Sequence, residues 1–194
     1  MAYIYFTSDL HFDHINILNF CNRPYKSIEH MNIQLVNNIN NRVKPEDTLI
    51  HLGDLFFKIP GKKTNEYYWE KQINCKFINI LGNHDINNSS KSIILNSIIK
   101  LSTKIVLVQH IPPTKDEHIP NGCDFVICGH VHNAWKVQLN KINNLNHNLG
   151  KVFINQESDI NIPIINIGCD VWNYKPIRKD ELLGYYNKII KFIK

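Results

Sequence analysis

At 194 residues, with 43% hydrophobic and 20% charged side chains, the chain can bury a core without disulfide staples and is too apolar to be disordered. Its net charge of +5 is mild and its lysines are scattered, which argues against a dedicated nucleic-acid surface. No apolar run approaches a membrane span, and no leader-like segment precedes the first strand.

Tyr3 to Thr7 reads as a first strand, followed by Ser8-Asp9-Leu10-His11. In extended backbone, residues two apart point the same way, so Asp9 and His11 are expected to converge. Ser27 is placed to cap a helix running to about Val43, with Ile28, Met31, Leu35 and Ile39 on one face. Thr48 to Leu52 is a second strand, ending in Gly53-Asp54. A loop from Phe56 to Thr64 precedes a short helix around Asn65 to Asn74.

A third strand, Phe77 to Leu81, delivers Gly82-Asn83-His84-Asp85, where glycine permits backbone to approach a crowded site. Ser89 to Lys100 is expected to be helical despite its β-branched residues. Lys104 to Gln109 is a fourth strand ending in His110, and Asp124 to Cys128 a fifth ending in Gly129-His130-Val131-His132. Trp135 to Leu139 and Val152 to Gln156 are expected as a hairpin or meander flanking an Asn-rich excursion, Asn140 to Gly150. Ile162 to Ile167 is a further strand, and a helix from Lys179 carries Leu182, Tyr186, Ile189 and Ile193 on one side. No repeat or linker divides the chain, so residues 1–194 are expected to form a single domain with no separate cap.

Five cysteines, Cys21, Cys75, Cys123, Cys128 and Cys169, form neither an even disulfide set nor a paired C-x-x-C pattern. Cys75, Cys128 and Cys169 lie in or beside apolar runs, which predicts buried thiols and a cytoplasmic protein, in the host cytoplasm if the source is viral.

Five times, a strand-like run ends in metal-ligating side chains: Asp9 and His11, Asp54, Asn83 and His84, His110, and His130 with His132. Functional groups collect beyond the carboxyl ends of strands in α/β sheets. Imidazole, carboxylate and amide without thiolate suit Mn, Fe, Zn or Ni better than a structural zinc cage. The set is about twice what one ion needs, so a two-metal site is the economical reading.

The succession Asp9-x-His11, Gly53-Asp54, Gly82-Asn83-His84-Asp85, His110 and Gly129-His130-x-His132 resembles the signature of the calcineurin-like metallophosphoesterases. Asn22-Arg23-Pro24 and Asp170-Val171-Trp172-Asn173-Tyr174 look like a compact bacterial and viral branch of that family. Asp13 departs from the glycine expected there, which places an extra carboxylate near the site. The resemblance implies a four-layer αββα sandwich of two mixed sheets. It also implies that Asp9, His11 and His132 bind one divalent ion and Asn83, His110 and His130 the other, with Asp54 bridging. Mn²⁺ is the preferred ion, with Fe, Zn or Ni as alternatives. His84 is implied as the catalytic acid, oriented by Asp85.

Two dications about 3.5–4 Å apart lower the pKa of a bridging water to near neutrality and neutralise charge on the phosphoryl oxygens. An acid at the leaving oxygen adds on the order of 10²–10⁴-fold. Arg23 is a candidate to fork onto a substrate phosphate, and His14 to line the pocket. A small phosphodiester such as a nucleotide is the preferred substrate. A phosphomonoester, a phosphoprotein or nucleic acid stands as an alternative, and a metal-binding scaffold of the same fold as the non-enzymatic rival. The oligomeric state is not indicated.

Overall fold

The computed structural model describes residues 1–59, 61, 64–87, 92, 94–140 and 148–193. Strand β1 (Ile4–Thr7) opens it, and its alternation sends Phe6 to one side of the sheet and Tyr5 to the other. A one-turn helix α1 (Ile17–Phe20) precedes the long helix α2 (Ile28–Arg42). The Ser27 hydroxyl caps α2 by accepting the His30 N–H at 3.1 Å, and Glu29 and Arg42 sit at the ends that the helix dipole favours. Ile28, Met31, Leu35 and Ile39 are buried at helical spacing and pack with Tyr5 and Leu49. Strands β2 (Thr48–His51) and β3 (Lys76–Asn79) pair in parallel beyond β1, with α3 (Glu66–Glu70) between them in the chain. Beyond β3 comes α4 (Asn83–Asn87).

From β4 (Asn96–Leu101) the chain builds a second sheet, and here the helix expected over Ser89 to Lys100 is corrected. Residues 88–91 and 93 lie outside the described residues, but from Asn96 the backbone is strand. Its β-branched Ile98 and Ile99 favour the pleated surface, and it pairs antiparallel with β5 (Lys104–Gln109) along its whole length. Ser102, at φ +59°, supplies the left-handed residue that the tight connection needs.

Strand β6 (Phe125–Cys128) pairs in parallel with β5. Strands β7 (Val137–Leu139) and β8 (Val152–Ile154) are neighbours, but not as a hairpin. They run parallel in register from Val137 opposite Val152 to Leu139 opposite Ile154, while β9 (Ile164–Asn166) takes the antiparallel place beside β7. Most of the Asn-rich excursion, 141–147, lies outside the described residues. Finally β10 (Ile177–Arg178) returns to pair antiparallel with β1 and runs straight into α5 (Lys179–Ile193).

The expected two-sheet α/β architecture is therefore observed, with strand orders β10-β1-β2-β3 and β4-β5-β6-β9-β7-β8. Between the sheets lie Phe6, Val106, Val108, Phe125, Ile127 and Ile165, joined by Leu182, Tyr186 and Ile189 of α5. The far side of the six-stranded sheet, with Leu107, Val126 and Ile164, is covered by Trp135 and Ile160 from connecting segments. All five cysteines are free thiols; Cys21, Cys128 and Cys169 are buried, and Cys75 is half-buried rather than buried. Among the described residues no helix is long and apolar enough to cross a membrane.

Candidate metal centre

Strands β1, β2, β3, β5, β6 and β9 lie in two sheets, and the segments that follow them meet at one place. The backbone knits these segments together: the Asp9 N–H donates to the Gly53 carbonyl at 3.0 Å, His11 to Asp54 at 2.9 Å, and Gly129 to His110 at 2.9 Å. Cys169 donates to the Ser8 carbonyl at 3.0 Å, tying the end of β9 to the end of β1.

Convergence of the side chains is achieved by a route that strand alternation does not describe. Asp9 (φ +58°), His11 (+51°), Asp54 (+60°), His130 (+70°) and His132 (+46°) all adopt the left-handed conformation. Each such residue costs on the order of 1–2 kcal/mol without glycine. Strain of this kind gathers where a site over-determines the backbone. The expected extended pair Asp9/His11 is thus corrected: both residues turn back sharply. Gly53 and Gly82 make room at the centre. A Cβ on Gly53, itself at φ +92°, would stand 2.5 Å from the Gly82 nitrogen, and one on Gly82 would collide with the Asp54 carboxylate.

Asp54 lies at the middle of the cluster. Its Oδ2 is 3.4 Å from His11 Nε2, 3.3 Å from His110 Nε2 and 3.9 Å from His84 Nε2. Its Oδ1 accepts the His84 backbone N–H at 2.9 Å. To one side, Asp9, His11 and His132 bring their ligand atoms within 4.8 Å of one another; to the other, Asp9, Asp54 and His110 do the same. The Asn83 Oδ1 lies 3.1 Å from His110 Nε2 and 2.9 Å from His130 Nδ1. The seven expected ligands, Asp9, His11, Asp54, Asn83, His110, His130 and His132, therefore share one cluster, with His84 at its rim.

The donors fit a cation. His11 Nε2 is buried and without a hydrogen-bond partner, which is costly for an imidazole nitrogen unless something else engages it. Burial works to raise the Asp54 carboxyl, but the His110 imidazole and the His84 N–H hold it below the usual carboxylate range. It is an anion surrounded by imidazoles. Burial works to lower His110, yet Asp54 and Asp9 carry it up to about 9. For His132 burial is again opposed, in this case by its hydrogen bond to Asp170, and the result is about 10.

The residues around the ligands are placed less as expected. Arg23 is turned inward. Its side chain is buried, and it forks onto Asp170, with Nε to Oδ1 at 2.8 Å and Nη2 to Oδ2 at 2.9 Å. Its remaining N–H groups reach the Leu10 carbonyl at 3.0 Å, the Asp9 carbonyl at 2.7 Å and the Met31 sulfur at 3.4 Å. Asp85 is also turned inward. It accepts the backbone N–H groups of Gly82 (2.9 Å), Asp54 (2.8 Å) and Leu55 (3.0 Å), so it braces the two glycine turns and reaches His84 through the backbone.

Asp13 turns its carboxylate to Trp69 Nε1 at 3.0 Å and Asn32 Nδ2 at 3.0 Å, linking α3 and α2. Its φ of +65° explains why a glycine is expected at that position. His14 does line the site, stacked on Phe57 at 4.4 Å with its Nδ1 3.1 Å from that of His11.

Asp170 was not anticipated as part of the site. Its Oδ2 lies 3.2 Å from His132 Nδ1, the arrangement that fixes the tautomer and orientation of a ligating imidazole. The signal was in the sequence: Gly168-Cys169-Asp170 follows the Ile162–Ile167 strand much as Gly53-Asp54 follows Thr48–Leu52.

Residues 3–162 match the family model described as the calcineurin-like phosphoesterase superfamily domain. An uncharacterised protein of Methanocaldococcus jannaschii is 32% identical over 189 residues, covering 97% of this chain and 93% of that protein. Among solved structures, a protein of unknown function from Aquifex aeolicus aligns with a TM-score of 0.65 at 26% identity, covering 95% of this chain and 99% of its own. A structure described as a novel archaeal phosphodiesterase aligns at a TM-score of 0.40 and 16% identity, over 86% of this chain and 84% of that one.

Proposed function

Because the chain belongs to the calcineurin-like phosphoesterase superfamily, we propose that it hydrolyses a phosphate ester, preferably a diester, with two divalent ions bound. One ion is assigned to Asp9, His11 and His132 and the other to Asn83, His110 and His130, Mn²⁺ being the preferred metal. The observation that carries this reading is the position of Asp54 Oδ2, within 3.4 Å of a histidine from each group. A carboxylate so placed can serve both. Such a metal pair supplies Lewis-acid activation of the attacking water and charge neutralisation at the phosphoryl oxygens.

The chain's own contribution is placement and a proton. Asp9 accepts the His130 N–H on both carboxylate oxygens, at 3.0 and 3.1 Å, so the two ligand-bearing turns hold one another in register. Asp170 fixes the His132 ring from behind. The His84 side chain reaches solvent, with 38% of it exposed, unlike the buried His11 and His110, while its backbone N–H is held by Asp54. Its imidazole can turn toward a leaving oxygen and protonate it.

A proton balance follows from the same geometry. In the metal-free protein His110 and His132, raised to about 9 and about 10, both carry a proton at pH 7.5. Ligation requires the neutral ring, so loading should expel about two protons and metal affinity should climb with pH until those values are passed. Calorimetric titrations in buffers of different ionisation enthalpy measure this directly. Heats that do not depend on the buffer would contradict the protonation of these two rings.

The preference for a diester rests on the absence of a fixed cationic fork at the site among the described residues. A monoester dianion calls for such donors, and Arg23 is committed to Asp170. The test is kcat/KM on the Mn²⁺-loaded protein for aryl phosphodiesters, aryl monophosphates, cyclic nucleotides and a phosphopeptide. Diesters should lead. A tenfold preference for monoester or phosphopeptide, about 1.4 kcal/mol of transition-state discrimination, would overturn the diester assignment.

A further inference from the structure

Beside the ligand cluster lies a cleft of about 370 Å³. It is lined by the imidazoles of His11, His14, His84 and His132, by Ile17, Phe20 and Val131, and by Cys21 and Asn133. Helix α1 is a single turn whose one buried residue is Ile17, and Phe20 at its end is 72% exposed. The core does not need that ring. His14 is stacked on Phe57 and meets Phe20 edge-on at 6.2 Å and 80°. No lysine, arginine, aspartate or glutamate is among the described residues that line the cleft. A phosphate ester seated at the ligand cluster therefore has beside it a space whose Ile17, Phe20 and Val131 offer aromatic and aliphatic surface, with no lysine or arginine among the described lining residues. Such a space rewards a flat apolar body and gives no hold to a second anion.

We propose that Ile17, Phe20 and Val131 form a subsite for a planar aromatic group esterified to the substrate phosphate, with Phe20 as its stacking platform. The proposal rests on the phosphoesterase reading above and names its substrate class. An aryl ester and a nucleotide share the required chemistry, because every base has a stacking face.

Binding separates the alternatives without relying on turnover. On the full chain reconstituted with Mn²⁺, calorimetry would compare methylphosphonate, phenylphosphonate and the 5′-phosphonate of thymidine. Phenylphosphonate should bind at least about tenfold more tightly than methylphosphonate, in line with the loss seen when an aromatic stacking partner is removed. Phe20→Ala should bring that ratio close to one, and Phe20→Tyr should retain it. Phe153→Ala, which removes an exposed ring on β8 outside the cleft, should also retain it. Tighter binding of the thymidine compound than of phenylphosphonate would assign the subsite to a nucleobase, and the reverse order to a simple aryl group. Equal affinities for phenyl and methyl, or a ratio that survives Phe20→Ala, would overturn the subsite and leave the phosphoesterase reading standing. Failure of every phosphonate to bind, with no phosphate ester hydrolysed, would overturn that reading and the subsite with it.

Discussion

Replacing His84 by asparagine should leave metal binding intact and lower turnover by about 10²–10⁴-fold for esters with poor leaving groups. The separation follows from position. The His84 side chain is at the rim of the cluster, with Nε2 3.9 Å from Asp54, whereas His11 and His110 approach the same oxygen at 3.4 and 3.3 Å and are buried. What His84 gives the cluster structurally is its backbone N–H, donated to Asp54 Oδ1 at 2.9 Å, and asparagine keeps that donor. An activated aryl ester, whose phenolate departs without a proton, should lose much less. The comparison of kcat for the two ester types at matched metal content measures this. Equal losses for both would remove His84 from the acid role.

Replacing Arg23 by methionine should destabilise the fold by about 3–5 kcal/mol, the scale for breaking a buried ion pair, even though Asp170 keeps its contact with His132. Both members of the Arg23–Asp170 pair are almost wholly excluded from solvent. The guanidinium also satisfies the carbonyls of Asp9 and Leu10, so its loss strips donors from the turn that presents Asp9 and His11. Arg23→Lys should recover only part of the loss, since a lysine cannot fork onto both Asp170 oxygens. Urea unfolding of the metal-free variants reads the effect. A methionine variant as stable as the parent, with only a raised KM, would restore Arg23 to the substrate-facing place that its sequence neighbourhood suggested.

That contrast shows where sequence was informative. The cluster of candidate ligands was legible because carboxylate, amide and imidazole recur at strand ends, where side-chain type alone indicates chemistry. Arg23 was not, because an arginine beside a motif reads the same whether its fork turns outward to a phosphate or inward to Asp170. Asp85 was misread for a related reason: its neighbour in sequence is His84, but its partners are three backbone N–H groups, two of them about thirty residues away. Asp9 and His11 converge by left-handed backbone, a conformation that period-two reasoning cannot anticipate. The error over Ser89 to Lys100 is of another kind. Ile98 and Ile99 spoke for a strand, and pairing with β5, a tertiary contact, decided it. The parallel placement of β7 and β8 is likewise a tertiary pairing, with β9, from later in the chain, taking the antiparallel place beside β7.

If Asp54 serves two ions at once, as proposed, metal stoichiometry will read it. Metal-free protein reconstituted with Mn²⁺ and freed of excess should retain two ions per chain. Asp54→Asn keeps the shape and the His84 N–H acceptor but gives up the anion, so it should weaken both sites together. Protein that never holds more than one ion per chain, or an Asp54→Asn variant that keeps one site at full affinity, would contradict the account.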